Sequence, residues 1–365
     1  MSHTDQFIGT RPVSGAHAFD TAALGAWMTQ HVEDFAGPLG VEMFKGGQSN
    51  PTYKLVTPGR TYVMRAKPGP VAKLLPSAHA IEREFAVMRG LAGTDVPVAR
   101  MHALCEDESV IGRAFYIMEY VEGRVLWDQT LPGMTPAERG AIYDELNRVI
   151  AALHNVDAAA VGLDGFGRPG NYFARQIARW TKQVQASATQ PIAAMDRLIE
   201  WLPQHIPTSA DDDRQAAIVH GDFRLDNLIF HPHEPRVLAV LDWELSTLGH
   251  PLADLSYQCL SWHFPPDQGR GLVGLDLQAL GIPSERDYVR RYLERTGERT
   301  GRADADAVMA DWNFYLAYNM FRLAGIAQGI AKRLESGTAA SAHAARAAAS
   351  ARPLAEQAWS IAQAA

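Results

Sequence analysis

Asn227 and Asp242 stand at the outer ends of two apolar runs that a turn-rich loop, residues 231–236, separates. Two apolar runs around such a loop predict an antiparallel hairpin. In an antiparallel pair the first residue of one strand lies near the last residue of the other, so these two side chains are expected at the same end. Carboxylate and amide oxygens suit Mg²⁺, which keeps waters and substrate phosphates as its other ligands.

Asp222 and Arg224 come just before that end of the hairpin, on a predicted loop. Asn227 and Asp242 are expected to hold a metal ion that bridges the nucleotide phosphates. Asp222 is then free to orient or deprotonate an incoming hydroxyl. Arg224 can neutralise charge on the transferred group. The combination predicts phosphoryl transfer, with Asp222 and Arg224 as the catalytic residues.

The run of residues 220–227, HGDFRLDN, followed by LDWE at residues 241–244, resembles the catalytic and metal-binding segments of the aminoglycoside phosphotransferase and choline kinase-like family. These enzymes are distant relatives of protein kinases. The resemblance implies that Asp222 is the catalytic base, that Asn227 and Asp242 are the Mg²⁺ ligands, and that the phosphate donor is ATP. It also implies structural roles for His220 and for Asp254, which would support the loop from a helix below it.

Residues 45–50, KGGQSN, lie between two predicted strands and resemble the nucleotide-binding loop of the family. In such a loop the backbone N–H groups beside Gly46 and Gly47, together with Ser49, can approach phosphates closely. The strand of residues 116–123, YIMEYVEG, resembles the hinge that binds adenine through its backbone. The resemblance implies that Glu119 and Val121 make those contacts.

Two cations compete for the position at which kinases carry the lysine that pairs with phosphates. Arg65 ends the second strand of a predicted hairpin, and Lys67 points to the same face. Glu84, in the following helix, matches the acidic partner that would hold this cation. Either Arg65 or Lys67 is therefore expected to contact the nucleotide, with Glu84 beside it.

Candidate contacts to the acceptor substrate lie further along the chain. Trp262 and His263 form one group, and Asn319 and Arg322 recur at helical spacing in another. Aromatic stripes of this kind more often belong to a core than to a ligand pocket. Arg322 differs, because an arginine on an otherwise apolar stripe needs a partner.

The elements that must position these residues follow from periodicity and turn chemistry. Asp20 is predicted to cap a helix that ends near residues 37–38, and residues 53–56 and 62–66 form a hairpin. Thr135 and Glu138 match a capping box at the start of a longer helix. The alanine-rich residues 339–365 are compatible with a surface helix or a frayed tail. Other predicted elements are helices at 78–91, 136–154, 172–188 and 192–201, and β runs at 115–120 and 217–219.

These elements predict an α+β protein, and the resemblance implies the two-lobed fold of protein kinases. Residues 1–120 are expected to form a small lobe with the lead-in helix, the nucleotide loop, an antiparallel sheet with one helix, and a hinge at about 118–123. Residues 121–365 are expected to form a larger, mainly helical lobe with the catalytic loop and the metal site. A chain of 365 residues is long enough for two such lobes.

Composition narrows the function classes further. The net charge of −7 argues against a protein that holds nucleic acid or an anionic membrane surface through bulk electrostatics. No stretch approaches the roughly 20 apolar residues of a membrane span, and Cys105 and Cys259 are too far apart to indicate a zinc site or a disulfide framework. The sequence predicts a cytoplasmic protein that acts on a small molecule.

Four functions remain to be separated. The leading one is a Mg-ATP-dependent kinase for a small-molecule hydroxyl. Within the family, residues 62–70, 74–79 and 242–251 look closest to the kinase-like half of certain acyl-CoA dehydrogenase fusion proteins, which implies a hydroxyacyl-CoA acceptor. The alternatives are a pseudokinase-like nucleotide or CoA binder, an aminoglycoside-modifying kinase, whose polycationic acceptor usually calls for acidic clusters, and, last, a metal-dependent hydrolase.

Overall fold

The structure is a computed structural model. It describes residues 9–45, 50–68, 80–168, 170–211, 216–266, 271–300, 304–337 and 342–364. Gly46, Gly47 and Ser49, which the sequence assigns to the nucleotide loop, lie outside the described residues.

Backbone contacts divide the chain into two units. The first unit is assembled from the segments Met1–Trp127, Ala158–Phe166 and Leu225–Ser246, and the second from Asp128–Asp157, Gly167–Arg224 and Thr247–Ala365. The chain therefore passes from the second unit to the first within the motif of residues 220–227. The division into lobes at residue 120 stays a prediction, and the contacts add that the segment Leu225–Ser246 packs with the first unit.

An antiparallel sheet organises the first unit. The predicted hairpin of its central strands is confirmed, because Thr52 pairs with Arg65 and Val56 with Thr61. Alternate side chains such as Tyr53 and Leu55 are buried, as expected for a strand with one face on the core. The strands follow the order β1-β2-β3-β4-β6-β5. They are β1 (Thr10–Pro12), β2 (Gly40–Phe44), β3 (Thr52–Val56), β4 (Thr61–Ala66), β5 (Met101–Cys105) and β6 (Phe115–Glu119).

Two helices, α1 (Thr21–His31) and α2 (Ile81–Leu91), accompany this sheet. The predicted cap is confirmed, since the Asp20 carboxylate accepts hydrogen bonds from the N–H groups of Ala22 and Ala23 at 2.9 and 3.0 Å. The prediction that α1 continues to residues 37–38 is wrong. The backbone turns extended at Val32, and Asp34 adopts the left-handed region with φ of 60°; neither conformation continues a right-handed helix.

Short strands follow in the chain: β7 (Arg124–Val125), β8 (Ala217–Val219), β9 (Leu228–Phe230), β10 (Val237–Val240) and β11 (Thr247–Gly249). In the first unit β9 and β10 form the predicted antiparallel hairpin, in which Val240 pairs with Leu228. β7 adds a third strand beside β9 that the sequence did not reveal. Gly123 permits this approach, because a Cβ at that position would lie 2.4 Å from the carbonyl oxygen of Phe230.

Helices dominate the second unit. The predicted capping box at the start of α3 is confirmed, since the Glu138 carboxylate accepts from the Thr135 N–H at 2.7 Å and the Thr135 hydroxyl accepts from the Glu138 N–H. The helices are α3 (Pro136–Asn155), α4 (Tyr172–Ala186), α5 (Ala193–Gln204), α6 (Pro251–Cys259), α7 (Leu277–Leu280), α8 (Glu285–Thr300), α9 (Ala305–Ala310), α10 (Trp312–Glu335), α11 (Ala342–Ala349) and α12 (Ala351–Gln363).

The alanine-rich C-terminal segment is packed in the structure. α12 contacts α10 and α5, and its buried positions are Ala351, Ala355, Ala358 and Ala362. Their spacing of four, three and four residues places them on one face. Since alanine carries a single methyl group, this face lets α12 approach its neighbours closely, and the open choice between a surface helix and a frayed tail is settled in favour of a docked helix.

The α+β prediction is confirmed, with an antiparallel sheet in the N-terminal region and helices through most of the remainder. Among the described residues, none of the helices is both long and apolar enough to span a membrane.

Enlarging a methyl group on this face should destabilise the second unit. Ala355 has no exposed surface, so Ala355→Leu forces α12 away from its neighbours, and we expect a loss of about 1–3 kcal/mol in the free energy of unfolding. Urea denaturation measures it. Ala345→Leu, at an exposed position of α11, is the matched control and should change stability by less than about 0.5 kcal/mol. Equal effects of the two variants would contradict the docking of α12.

Candidate active site

The end of the β9–β10 hairpin carries both predicted metal ligands. The Leu241 N–H donates to the carbonyl oxygen of Asn227 at 2.8 Å, which extends the pairing by one step beyond the strands. Asn227 and Asp242 therefore lie at the same end, as predicted from the two apolar runs. The Asn227 side chain is nearly buried, whereas that of Asp242 is partly exposed.

Asp242 has an unusual backbone conformation. Its φ of 66° and ψ of 58° place it in the left-handed region, which costs a residue with a Cβ about 1 kcal/mol or more. Such strain is frequent at functional positions. Because of this conformation the chain turns directly after β10. The Asp242 carboxylate accepts a hydrogen bond from Arg65 Nη2 at 2.8 Å.

Arg65 joins three carboxylates within the first unit. Its Nε lies 2.9 Å from Glu84 Oε2, and its Nη2 contacts Asp242 Oδ1 at 2.8 Å and Glu244 Oε2 at 3.3 Å. Burial disfavours the charge of Arg65, but the surrounding carboxylates, Glu84 first, outweigh it and raise the pKa of Arg65 above its usual value. The guanidinium is suited to this place because its nitrogens point in several fixed directions.

Glu84 is the buried centre of these contacts, with 1% of its surface exposed. Its carboxylate accepts hydrogen bonds from Asn50 Nδ2 at 2.7 Å and from the Tyr116 hydroxyl at 3.0 Å. Burial raises the pKa of Glu84, and Arg65 and these two hydrogen bonds act against that increase. The predicted pairing of Glu84 with a cation of the preceding strand is present in the structure.

The two competing cations have different partners. Lys67 contacts Glu82, whereas Arg65 contacts Glu84, two residues later in the same first turn of α2. Lys67 is also the more exposed of the two, with 28% of its side chain accessible against 11% for Arg65. The predicted contact with Glu84 is thus made by Arg65, and which of the two cations pairs with phosphates stays a prediction.

The predicted hinge follows the end of β6. The Glu119 N–H donates to the carbonyl oxygen of Arg100 at 2.9 Å, so this donor is used inside the protein. Val121 lies beyond the last residue of β6. Within the part of the chain that the structure describes, its N–H donates to no other backbone group. The contacts to adenine at Glu119 and Val121 stay predictions.

Asp222 lies in the second unit, where two donors approach the same oxygen. The Tyr257 hydroxyl donates to Asp222 Oδ1 at 2.6 Å, and Arg224 Nε lies 3.3 Å from that oxygen. Both Asp222 and Arg224 are about one-fifth exposed. The structure therefore brings the two predicted catalytic residues together and adds Tyr257, which the sequence analysis did not select.

Arg322 obtains its partners from this loop and from aromatic rings. Its Nη2 donates to the carbonyl oxygen of Gly221 at 2.5 Å. The guanidinium carbon lies 5.1 Å from the ring centre of Tyr257 and 5.9 Å from that of Trp180, within the range of cation–π attraction. Gly221 has a φ of 82°, a conformation that glycine adopts without a steric cost.

Asp254 supports the same loop from α6, as the resemblance implied. Its Oδ2 accepts from the His220 N–H at 2.6 Å, its Oδ1 accepts from the Gly221 N–H at 2.8 Å, and His154 Nε2 lies 3.3 Å away. Burial opposes ionisation, but the hydrogen bond and charge of His154 and the contacts of His220 outweigh it and hold the pKa of Asp254 below its usual range. His154 itself contacts the Tyr292 hydroxyl at 2.7 Å.

Replacing this carboxylate should destabilise the fold in a pH-dependent way. In Asp254→Asn the buried N–H donors lose a charged acceptor, and we expect a loss of about 3 kcal/mol near neutral pH. Because the pKa is depressed in the folded state, the stabilisation is complete above the unfolded-state value of about 3.9 and is lost as the pH falls through the lower folded value.

The difference in unfolding free energy between wild type and Asp254→Asn should therefore shrink below about pH 4. Urea denaturation from pH 7 to pH 3.5 measures it. Glu294→Gln, at an exposed position of α8, is the control and should change stability by less than about 0.5 kcal/mol. A difference that stays constant over the whole range would contradict the depressed pKa of Asp254.

The remaining candidate substrate contacts are engaged within the second unit. Trp262 is nearly buried and donates through Nε1 to the carbonyl oxygen of Pro283 at 3.0 Å. Asn319 is completely buried and donates to the Ala253 carbonyl at 2.9 Å, which fastens α10 to α6. His263 is partly exposed and lies 3.0 Å from the Glu285 carboxylate. Because Asn319 has no exposed surface, a substrate cannot contact it, in contrast to its selection as a candidate substrate contact.

Comparisons with known proteins decide the family. A sequence profile of the phosphotransferase enzyme family matches residues 40–293. The chain belongs to this family. The matched range contains Arg65, Glu84, Asp222 and Asp242, whereas Arg322 lies beyond its end.

A curated relative is acyl-CoA dehydrogenase family member 10 of Mus musculus, 45% identical over 356 residues, which are 97% of this chain and 32% of the mouse protein. The chain spans between about a third and somewhat less than half of the length of the curated relatives it matches. The resemblance to the kinase-like part of such fusion proteins is thereby confirmed.

Solved structures agree in fold. A protein from Ralstonia eutropha JMP134, assigned as an aminoglycoside phosphotransferase, superposes with a TM-score of 0.85 at 65% identity, covering 95% of this chain and 99% of that one. A thermostable mutant of the aminoglycoside phosphotransferase APH(4)-Ia, in ternary complex with ADP and hygromycin B, gives a TM-score of 0.58 at 15% identity, covering 93% and 97%. The predicted kinase-like fold is confirmed.

Sequence reasoning missed several residues of these networks, among them Glu244, Tyr257 and His154. Glu244 lies two positions after Asp242, within the motif of residues 241–244, but nothing in the sequence indicated a role for it. Tyr257 follows Asp254 by three positions on α6, so the two share a helix face, and that spacing could have revealed it. His154 ends a predicted helix far from the motif in sequence, and only the tertiary structure brings it to Asp254.

Proposed function

We propose that the chain is a Mg-ATP-dependent phosphotransferase that phosphorylates a hydroxyl of a small molecule, with a hydroxyacyl-CoA-type metabolite as the acceptor. Membership of the phosphotransferase enzyme family supports the reaction class. The nucleotide and acceptor in the APH(4)-Ia complex support a nucleotide donor and a small hydroxylated acceptor. The curated relatives, whose names refer to acyl-CoA dehydrogenases, support an acyl-CoA acceptor.

The observation that carries the proposal is the pair of oxygen donors at one end of the β9–β10 hairpin, where the backbones of Leu241 and Asn227 are joined by a 2.8 Å hydrogen bond. An amide and a carboxylate fit Mg²⁺, which binds few protein ligands when phosphates and waters complete its shell. No group of three or more His, Cys, Asp or Glu side chains that could hold a metal is present among the described residues. This donor set therefore favours a metal shared with a nucleotide over the self-contained metal cage of a hydrolase.

Asn227 and Asp242 would hold the ion, which when bound neutralises charge on the nucleotide phosphates. Arg65 is the proposed phosphate-pairing cation, because Glu84 holds its Nε while its Nη2 contacts Asp242. Gly46, Gly47 and Ser49 are proposed to approach the phosphates, and the backbone of Glu119 and Val121 to contact adenine.

Asp222 is the proposed base. The acceptor hydroxyl gives its proton to this carboxylate while its own oxygen bonds to the terminal phosphorus of ATP, and the bond from that phosphorus to the bridging oxygen breaks to release ADP. Arg224, which lies 3.3 Å from Asp222, offsets charge on the transferred group. Binding and orientation supply most of the rate, because the base removes only one proton.

An aminoglycoside acceptor is the second candidate, since the Ralstonia eutropha protein at 65% identity is named for that class of enzyme. The charge at the predicted acceptor residues favours the first candidate. Arg322 contacts the backbone of the Asp222 loop from α10, and a cation near this loop repels polycationic aminoglycosides while it attracts acidic, phosphate-bearing molecules such as acyl-CoA compounds. We also propose a cytoplasmic location, supported by two cysteines that are buried and free.

Turnover across a panel of acceptors tests the function. ADP formation with Mg-ATP should depend on a hydroxyacyl-CoA and should be absent with kanamycin-type compounds. Asp222→Asn should lower kcat at least about a thousandfold, because the step loses both its base and the negative charge. The same variant should still bind Mg-ATP, which thermal shift detects because a ligand of the folded state raises its stability.

Undiminished turnover in Asp222→Asn would show that another group is the base. Nucleotide binding without ADP formation on any acceptor would favour the binding module without transfer. ADP formation with aminoglycosides in place of acyl-CoA compounds would establish the second candidate.

Matched substitutions separate the two cations. Arg65→Gln should raise the KM for ATP about tenfold or more, because it removes the charge that contacts Asp242 and leaves Glu84 without its cation. Lys67→Gln, whose partner is Glu82, should change KM less than about twofold. Circular dichroism of both variants checks that they are folded at the assay temperature. The opposite pattern of KM values would assign phosphate pairing to Lys67.

A further inference from the structure

The Asp222 carboxylate is held by a donor that the sequence pattern of the loop does not contain. The Tyr257 hydroxyl lies 2.6 Å from Oδ1, a short distance that is typical of a hydroxyl bonded to a charged oxygen. The Tyr257 side chain is nearly buried, with 8% exposed, so water competes little for this contact. Burial and the charge of Asp222 raise the pKa of the Tyr257 phenol, which keeps it protonated as the donor.

We infer that Tyr257 is a positioning residue for the proposed base: its hydroxyl occupies Asp222 Oδ1 and fixes the side-chain rotation so that Oδ2 faces the acceptor hydroxyl. A carboxylate has two oxygens that exchange places by rotation. With one oxygen held, the other keeps a constant direction, and proton transfer needs such alignment at hydrogen-bond distance. This inference rests on the proposed function of Asp222.

Helix α6 positions Tyr257 for its contact with Asp222. Asp254 accepts hydrogen bonds from the backbone of His220 and Gly221, and Tyr257, three residues later on the same helix, reaches the side chain of Asp222. One helix therefore holds the loop at its backbone and at its reacting group. Buried hydrogen bonds from Asn319 to Ala253 and Ser256 anchor α6 itself to α10.

Arg322 supports the same arrangement from α10. Its guanidinium lies over the Tyr257 ring at 5.1 Å and donates to the Gly221 carbonyl at 2.5 Å. It therefore contacts both the residue that holds Asp222 and the backbone next to Asp222. This gives Arg322 a positioning part in place of the substrate contact that its sequence position suggested.

Tyr257→Phe tests the inference, because it removes the hydroxyl and keeps the ring on which Arg322 stacks. We expect kcat to fall about tenfold, which corresponds to about 1.4 kcal/mol, while KM for ATP and for the acceptor stays within about twofold. Tyr288→Phe is the matched control. Tyr288 is equally buried on α8, and its hydroxyl has no hydrogen-bond partner among the described residues, so its kcat should stay within about twofold of wild type.

A kcat for Tyr257→Phe equal to that of Tyr288→Phe would overturn the inference. A parallel rise in KM with unchanged kcat would also overturn it, since it would make Tyr257 a binding residue.

A double-mutant cycle keeps the test independent of turnover. Unfolding of wild type, Tyr257→Phe, Asp222→Ala and the double variant should show a non-additive change of about fivefold or more in the unfolding equilibrium constant, because the two side chains interact directly and each single variant removes that interaction. Additive changes would show that the hydrogen bond contributes nothing and would overturn the inference. Coupling together with wild-type protein that turns over no acceptor would instead mean that the contact exists and that the proposed function fails.

Discussion

A carboxylate removed from water must find hydrogen-bond donors or positive charge, and the loop around Asp222 depends on how Asp254 meets that requirement. Its two oxygens bind the backbone N–H groups of His220 and Gly221. His154 approaches from α3. The same bonds that stabilise the buried charge fix the loop, so the position of Asp222 follows from the electrostatics of a residue that takes no part in the reaction.

The first unit meets the same requirement with a different pair. Glu84 is buried on α2, and Arg65 on β4 supplies its positive charge. Because a guanidinium can contact several oxygens at once, Arg65 also reaches Asp242, which follows β10. An ion pair of this kind contributes little net stability when compared with an apolar pair. The ion pair instead fixes orientation, because it holds the Arg65 guanidinium and the Asp242 carboxylate together.

Much of the fold and of the candidate site could be read from the sequence. The β3–β4 and β9–β10 hairpins follow from the apolar strand residues and from the turn residues between the strands. The start of α3 follows from the capping hydrogen bonds of Thr135, the residue just before the helix. The convergence of Asn227 and Asp242 followed from antiparallel pairing alone. β7 escaped prediction because it is two residues long and depends on Gly123 to approach β9. The end of α1 was misplaced, because no proline or glycine marks His31 as its last residue.

The sequence by itself determined the candidate residues, since residue types at motif spacing select Asp222 as the proposed base and Asn227 with Asp242 as the proposed Mg²⁺ ligands. It also determined the local elements, because helix caps, turns and strand alternation act over a few residues. Only the tertiary structure paired Arg65 with Glu84 and Lys67 with Glu82, buried Asn319, and brought Tyr257, Arg322 and His154 to the loop. The contacts at the loop join residues that are 35 to about 100 positions apart in the sequence, and local patterns carry no record of which distant residues will meet.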